Sequence, residues 1–288
     1  YRGEGRSLIS MGDPVGPEAD IRDLVWEYKS LADRCFAAPV FYQVSGDHLP
    51  LYIDIGLSFQ KLGEDALIPL ENFSLENKEF KGMRGAIRKL EKEGVEFRML
   101  ARGEAMAAMA EIQAVSESWL NAKNAKEKGF SLGFFDPEYL LRCPIAVARL
   151  DGRIVAFSNL WVNSVKDEFS CDLMRYSAGA PKGSMDFLFA GILAYGKAEG
   201  YRKFNLGMAP LSGIDNRPLA PLWSKAGDFL FRHGEHFYNF QGLRQYKEKF
   251  HPVWEPRYLA SPGGLALPRV LANLATLISG GLKGIISK

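Results

Sequence analysis

Residues 144–206 read PIAVARLDGRIVAFSNLWVNSVKDEFSCDLMRYSAGAPKGSMDFLFAGILAYGKAEGYRKFNL, and their pattern decides the fold. Pro144 to Leu150 and Arg153 to Val162 are apolar, β-prone runs on either side of Asp151-Gly152. That dipeptide supplies the left-handed backbone a tight hairpin turn needs, so the two runs are predicted to pair. Glu168 to Ser177 reads as a third strand. Ser184 to Glu199 reads as a helix, with Met185, Leu188, Phe189, Ile192 and Leu193 on one face, and Tyr201 to Leu206 as a fourth strand. The order strand, strand, strand, helix, strand predicts a mixed sheet with helices packed on it.

Working outward, the first half repeats the alternation of strand and helix. Arg6 to Met11 reads as a short strand, Gly12-Asp13-Pro14 and Gly16-Pro17 as a turn, Glu18 to Phe36 as a helix and Pro39 to Val44 as a strand. A helix over Glu76 to Glu93 carries Phe80, Met83, Ile87 and Leu90 at helical spacing and stops at Gly94. Val95 to Leu100 is a strand, and Glu104 to Lys123 an amphipathic helix. The polar, glycine-containing stretch Asn121 to Gly133 marks a domain boundary. The expected fold class is α/β with a mixed sheet, divided into residues 1–125 and 126–288, without a clean sequence repeat.

Composition excludes several classes. With 47% hydrophobic and 24% charged residues, the 288-residue chain is globular, and its net charge of +2 makes no global demand for nucleic acid. Cys35, Cys143 and Cys171 are odd in number and lack C-x-x-C spacing, which argues against a disulfide framework. No apolar run reaches the ~18 residues a spanning helix needs. The chain starts as if in mid-strand and has no signal-peptide core, as expected of a piece of a longer protein.

The densest polar cluster on a predicted strand is Cys171-Asp172-Leu173-Met174-Arg175-Tyr176. An ionised Asp can act as a base or orient a nucleophile, and an Arg can hold an oxyanion or a phosphate. Positions three apart on a regular strand face opposite sides, so Asp172 and Arg175 share a site only if a bulge intervenes. Otherwise they are a surface pair. Gly179 to Asp186 is a glycine-rich turn in which Lys182 precedes a helix capped by Ser184, a phosphate seat or an ordinary cap. Phe229 to Glu255 interleaves Phe231, Phe237, Tyr238, Phe240, Tyr246, Phe250 and Trp254 with Arg232, Arg244, Lys247 and Lys249. Such a mix suits the stacked bases of a single-stranded RNA end, and equally a helix that buries its rings. His233 and His236 lack a third ligand, so no metal is predicted. Lys78, Lys81, Arg84, Arg88 and Lys92 form a basic stripe that is a solvated face or touches an RNA backbone. Cys171, with no His near it in sequence, reads as a small buried thiol.

Several stretches resemble the C-terminal catalytic region of aminoacyl-phosphatidylglycerol synthases, the multiple peptide resistance factor family. They are Gly12-Asp13-Pro14, residues 127–133 (EKGFSLG), Asp172-Leu173-Met174-Arg175-Tyr176, residues 204–213 (FNLGMAPLSG), residues 231–240 (FRHGEHFYNF) and residues 243–250 (LRQYKEKF). The resemblance implies two acyltransferase-like domains of the GCN5-related type around a tunnel. It implies transfer of an amino acid from aminoacyl-tRNA to phosphatidylglycerol at the cytoplasmic face of the inner membrane, without a cofactor. Such transfer lowers membrane negative charge and promotes resistance to cationic antimicrobial peptides. Full-length relatives carry an N-terminal transmembrane region. By the same resemblance Asp172, Arg175 and Lys247 match active-site positions. Lys182, Ser184, Tyr176, Arg232, Arg244 and Tyr246 are the expected substrate-binding set. Residues 180–184 (APKGS) depart from the pattern of acetyl-CoA users, which argues against that donor.

The wording of the motifs leans toward an alanyl group over a lysyl one. A lysyl pocket adds a carboxylate, for which Asp186, Asp228 and Glu235 are available. The alternatives are an aminoacyl-tRNA-dependent transferase of peptidoglycan cross-bridges and a non-catalytic RNA- or membrane-binding module. Leu267 to Lys288 reads as an amphipathic helix that either packs on the core or lies at the lipid interface.

Overall fold

The computed structural model describes residues 1–214 and 240–279. In chain order they form β1 (Arg2–Glu4), β2 (Ser7–Met11), α1 (Glu18–Arg34), β3 (Ala38–Val44), α2 (Leu49–Asp54), β4 (Ser58–Pro69), α3 (Lys81–Lys92) and β5 (Val95–Leu100). Then come α4 (Arg102–Ala107), α5 (Met109–Lys123), α6 (Pro137–Leu140), β6 (Ile145–Leu150), β7 (Arg153–Trp161), β8 (Glu168–Tyr176) and α7 (Ser184–Ala198). The last are β9 (Lys203–Pro210), α8 (Phe240–Glu248), β10 (Val253–Ser261) and α9 (Leu267–Ile278). The strands make one mixed sheet in the order β1-β2-β3-β10-β4-β9-β8-β7-β6-β5.

The decisive hairpin forms as its turn chemistry requires. Asp151 and Gly152 both hold positive φ, 51° and 77°, and β6 pairs antiparallel with β7 across them. β8 continues the antiparallel run beside β7. After the crossover helix α7, β9 returns parallel to β8, but the pairing covers only Glu168–Ser170 against Lys203–Asn205. Beyond it β8 runs on to Tyr176 and β9 to Pro210, no longer hydrogen-bonded to each other. The backbone groups freed there are available to side chains, and the functional residues gather at this parting.

The sheet does not break near residue 125. β5, from the earlier side, pairs with β6, and β10, from the far end, lies between β3 and β4. The largest core cluster joins α3 and α7 across that point, through Ile87, Leu90, Leu188, Phe189, Ile192 and Leu193. The apolar face read for α7 is buried there as expected. A second cluster lies under α5 and holds Ile112, Val115, Phe157 and Leu173. A third packs Val270, Leu274 and Leu277 of α9 on Ile9, Val40, Leu62 and Leu259. The described part of the C-terminal helix therefore has its apolar face in the core, which settles its two readings in favour of packing. Residues 280–288 lie outside the described residues.

Candidate functional site

The bulge needed to bring Asp172 and Arg175 together is present. The β7–β8 register advances two residues on β7, from Ser158 to Leu160, while β8 moves three, from Met174 to Cys171. Asp172 and Leu173 thus oppose the single residue Asn159. The main-chain N–H of Leu173, which a regular ladder would satisfy, donates instead to Asn159 Oδ1 at 2.9 Å. Leu173 faces the α5 side with the second core cluster, whereas Cys171, Met174 and Tyr176 face α7. Asp172 and Arg175 both take partners on the α5 side, from the connection 124–136 and the helices flanking it.

Those partners differ. The Tyr139 hydroxyl donates to Asp172 Oδ2 at 2.6 Å. It accepts from Asn159 Nδ2 at 3.1 Å and from the Trp161 indole N–H at 2.5 Å. The backbone N–H of Gly133 also donates to Asp172, and a Cβ at position 133 would fall 2.3 Å from the carboxylate. Only glycine lets the chain close over Asp172 this way. Burial pushes the Asp172 carboxyl above the usual carboxylate range, against the opposing pull of Tyr139, Asn159, Gly133 and Arg175. The result is a half-buried, partly desolvated carboxylate with a phenol on one oxygen, a fitting acceptor for a substrate proton.

Arg175, 4% exposed, is held by a bidentate pair with Glu127 at 2.7 Å on both arms. It also donates to the Ser116 hydroxyl and stacks over the Trp119 ring, 5.3 Å from its centroid. Burial pushes Glu127 up, but the Arg175 guanidinium and the Phe135 N–H outweigh it and hold the carboxyl below its ordinary range. Glu127 and Gly133 both come from the stretch 121–133 that reads as a linker in the sequence.

Lys247, on α8 and 5% exposed, sits on the other diverging strand. Its ammonium donates to the carbonyls of Leu206, Gly207 and Met208 at 3.0, 2.8 and 2.9 Å. β9 bulges here too, since its pairing with β4 moves from Met208 to Asn205 while β4 moves from Asp65 to Leu67. Burial lowers the Lys247 pKa to about 8, countered by Cys171 and Asp65. At neutral pH it is charged, with all three donors on main-chain oxygen. Burial pushes the neighbouring Cys171 thiol up to about 12, which keeps it protonated at neutral pH.

The remaining predicted residues divide. Tyr176 and Tyr246 lie together on the α7 side with Cys171, and burial beside Asp186 raises the Tyr246 phenol. Arg244 pairs with Glu64 at 2.6 Å and Glu248 at 3.1 Å and stacks on Trp254 at 4.2 Å. Lys182 is exposed in the turn before α7. Ser184 is not the cap the sequence reading made it. Gly183, at φ 94°, occupies that position, and the buried Ser184 hydroxyl donates to the Pro181 carbonyl at 2.7 Å. Glycine takes the left-handed backbone here without strain and leaves Ser184 as the first helical residue. Arg232, His233 and His236 lie outside the described residues.

Residues 1–261 match the family described as phosphatidylglycerol lysyltransferase, C-terminal. The chain belongs to this family. The Bacillus subtilis phosphatidylglycerol lysyltransferase is 38% identical over 257 residues, 88% of this chain and 30% of that protein. The Staphylococcus aureus enzyme of the same name is 36% identical over 90% of this chain and 31% of its own length. The chain thus spans about a third of these relatives. Among solved structures, L-PGS from Bacillus licheniformis is 39% identical with a TM-score of 0.80, over 95% of this chain and 83% of that one. FemX, 10% identical, superposes with a TM-score of 0.60 over 95% of this chain and 85% of its own, and so shares the fold. The α/β class with a mixed sheet, expected from the order of strands and helices, is the one the structure has.

Within the family frame, the residue that sequence reasoning missed is Tyr139. It lies on α6, a four-residue helix whose start is legible as Asp136-Pro137-Glu138. Asp136 caps the helix by accepting from the Glu138 and Tyr139 N–H groups at 2.8 and 3.1 Å. Those signals locate the helix. Nothing local says that its phenol turns back onto a strand 33 residues later.

Proposed function

We propose that the chain transfers an aminoacyl group from aminoacyl-tRNA to phosphatidylglycerol, as the catalytic part of a longer membrane enzyme working at the cytoplasmic face. The observation that carries the reading is the family match over residues 1–261, which takes in every described residue of the Asp172 site. The names of the relatives favour a lysyl group over the alanyl one toward which the motifs lean. Among the described candidates for a lysyl-binding carboxylate, Asp186 is already paired with Lys249 at 3.0 Å; Asp228 and Glu235 lie outside the described residues.

The chemistry is an ester exchange and needs no energy input. A glycerol hydroxyl of the lipid gives its proton to Asp172, held in place by Tyr139. Its oxygen bonds to the aminoacyl carbonyl carbon, and the tetrahedral intermediate expels the ribose oxygen of the tRNA, which takes the proton back. Tyr139, as a phenol already aligned on Asp172, relays or orients that proton. Arg175 acts through Glu127, fixing the connection 124–136 over the site. Lys247 acts through β9, whose carbonyls it gathers. The supporting test is incubation with lysyl-tRNA or alanyl-tRNA and phosphatidylglycerol vesicles, following label into lipid. Transfer from either donor supports the reading, and their ratio assigns the amino acid. No lipid product from either donor refutes it.

A further inference from the structure

The segments that hold Asp172 expose three large apolar side chains, among exposed Glu127, Lys128, Glu138 and Arg142. Leu132 and Phe134 flank Gly133, whose backbone lies on the Asp172 carboxylate, and they are 46% and 48% exposed. Trp161, 48% exposed, is fixed by its indole N–H on the Tyr139 hydroxyl that holds Asp172. Two separate segments, the connection 124–136 and the end of β7, therefore present large apolar side chains to solvent beside one half-buried carboxylate. Leu132 and Phe134 are not packed in any of the core clusters among the described residues. Exposed Lys128 and Arg142 stand in and beside the same segments. A tryptophan with a tethered polar end and a half-exposed ring, with apolar loop residues and cations on the other segments that hold Asp172, is the composition of a surface that enters the headgroup region of a bilayer.

We propose that Leu132, Phe134 and Trp161 form a membrane-docking rim that seats the Asp172 mouth on an anionic phospholipid bilayer. This rests on the proposed lipid acceptor for its meaning, but it is tested without the reaction. The rim inserts shallowly. Its apolar groups take the place of water at the acyl-chain boundary, and Lys128 and Arg142 meet lipid phosphates. The lipid hydroxyl then reaches Asp172 without the lipid having to leave the membrane entirely. RNA is the alternative occupant, and the vesicle and RNA arms of the test separate the two.

The test is cosedimentation of the chain with vesicles of phosphatidylglycerol and phosphatidylcholine, with no donor present. The double variant Leu132→Ser, Phe134→Ser should lose about tenfold or more in vesicle affinity with little change in melting temperature, since both side chains are about half exposed and outside the core clusters of the described residues. In a second measurement, phospholipid brominated near the headgroup should quench tryptophan fluorescence of the wild-type chain, and Trp161→Phe should remove most of that quenching. Vesicle binding that the double variant retains in full, wild-type fluorescence that brominated lipid does not quench, or binding to RNA but not to vesicles would each overturn the proposal. If vesicles bind through the rim but no aminoacyl lipid forms, the docking surface stands and the catalytic reading fails. If short-chain phosphatidylglycerol in solution is a substrate while the variant still binds vesicles normally, the catalytic reading stands and the rim fails.

Discussion

At the scale of single residues the site is a set of commitments rather than of free groups. Arg175 spends its donors on Glu127 and Ser116, and Lys247 spends all three on carbonyls. Asp172 alone is poised, and its test is the pH profile. Because burial raises its carboxyl and Tyr139 opposes that rise, the acidic limb of turnover should lie above the ordinary carboxylate range. Tyr139→Phe should move that limb to higher pH and lower turnover about 10²-fold, with little loss of melting temperature. A profile unchanged by Tyr139→Phe would remove the phenol from the reaction. Arg175→Ala has a second consequence beyond lost activity. Arg175 is buried but Glu127 is 35% exposed, so water screens the carboxylate left behind; the lost Ser116 and Trp119 contacts should still lower melting along with turnover. Glu127, with its pKa lowered in the folded state, adds stability that is present above its ordinary value of 4.5 and lost as pH falls below it. The melting temperature of wild type should therefore drop more steeply on acidification through that window than that of Glu127→Gln.

At the scale of elements the predictions turn on what each helix and strand covers. Leu274→Asp on α9 should lower stability by about 3 kcal/mol or more, because Leu274 is buried among Ile9, Val40 and Leu259. Normal melting in that variant would reopen the interfacial reading of the helix. Lys247→Met should lower both melting and turnover, since it leaves three carbonyls at the β9 bulge without their donor. The elements that were legible in sequence are those with clean local signals. The Asp151-Gly152 hairpin, the strand Val95–Leu100 and the helix opening at Ser184 form nearly as read. β4 and β10 were not legible. β4 carries Lys61, Glu64 and Asp65 at the middle of the sheet, which breaks alternation. Those charges are satisfied partly within the strand, by Lys61 on Glu64, and largely from afar, by Arg244 on Glu64 and by Arg257 and Asn205 on Asp65. β10 follows an aromatic-rich stretch whose periodicity resembles a helix. The single helix read over Glu104 to Lys123 is two, broken at Ala108.

At the scale of the whole molecule, what sequence conveys is the parts list of the site and what it withholds is their assembly. Asp172, Arg175 and Lys247 stand out as charges in distinctive stretches, and the need for a bulge is deducible from strand geometry alone. Glu127 and Gly133 stand in the stretch 127–133 that carries the resemblance, but their roles, like that of Tyr139, are not legible because they depend on a connection that folds back over β8. The continuous sheet brings all of them to the place where β8 and β9 part, with α5 on one face and α7 and α8 on the other. The proposed reaction turns on the Asp172 carboxylate at that place. The most direct test is a single-turnover assay of Asp172→Asn with lysyl-tRNA and phosphatidylglycerol vesicles, run beside wild type at equal melting temperature and equal vesicle binding. The account predicts formation of aminoacyl lipid by wild type and a loss of about 10²-fold or more in the variant. Transfer by the folded variant at the wild-type rate would contradict it.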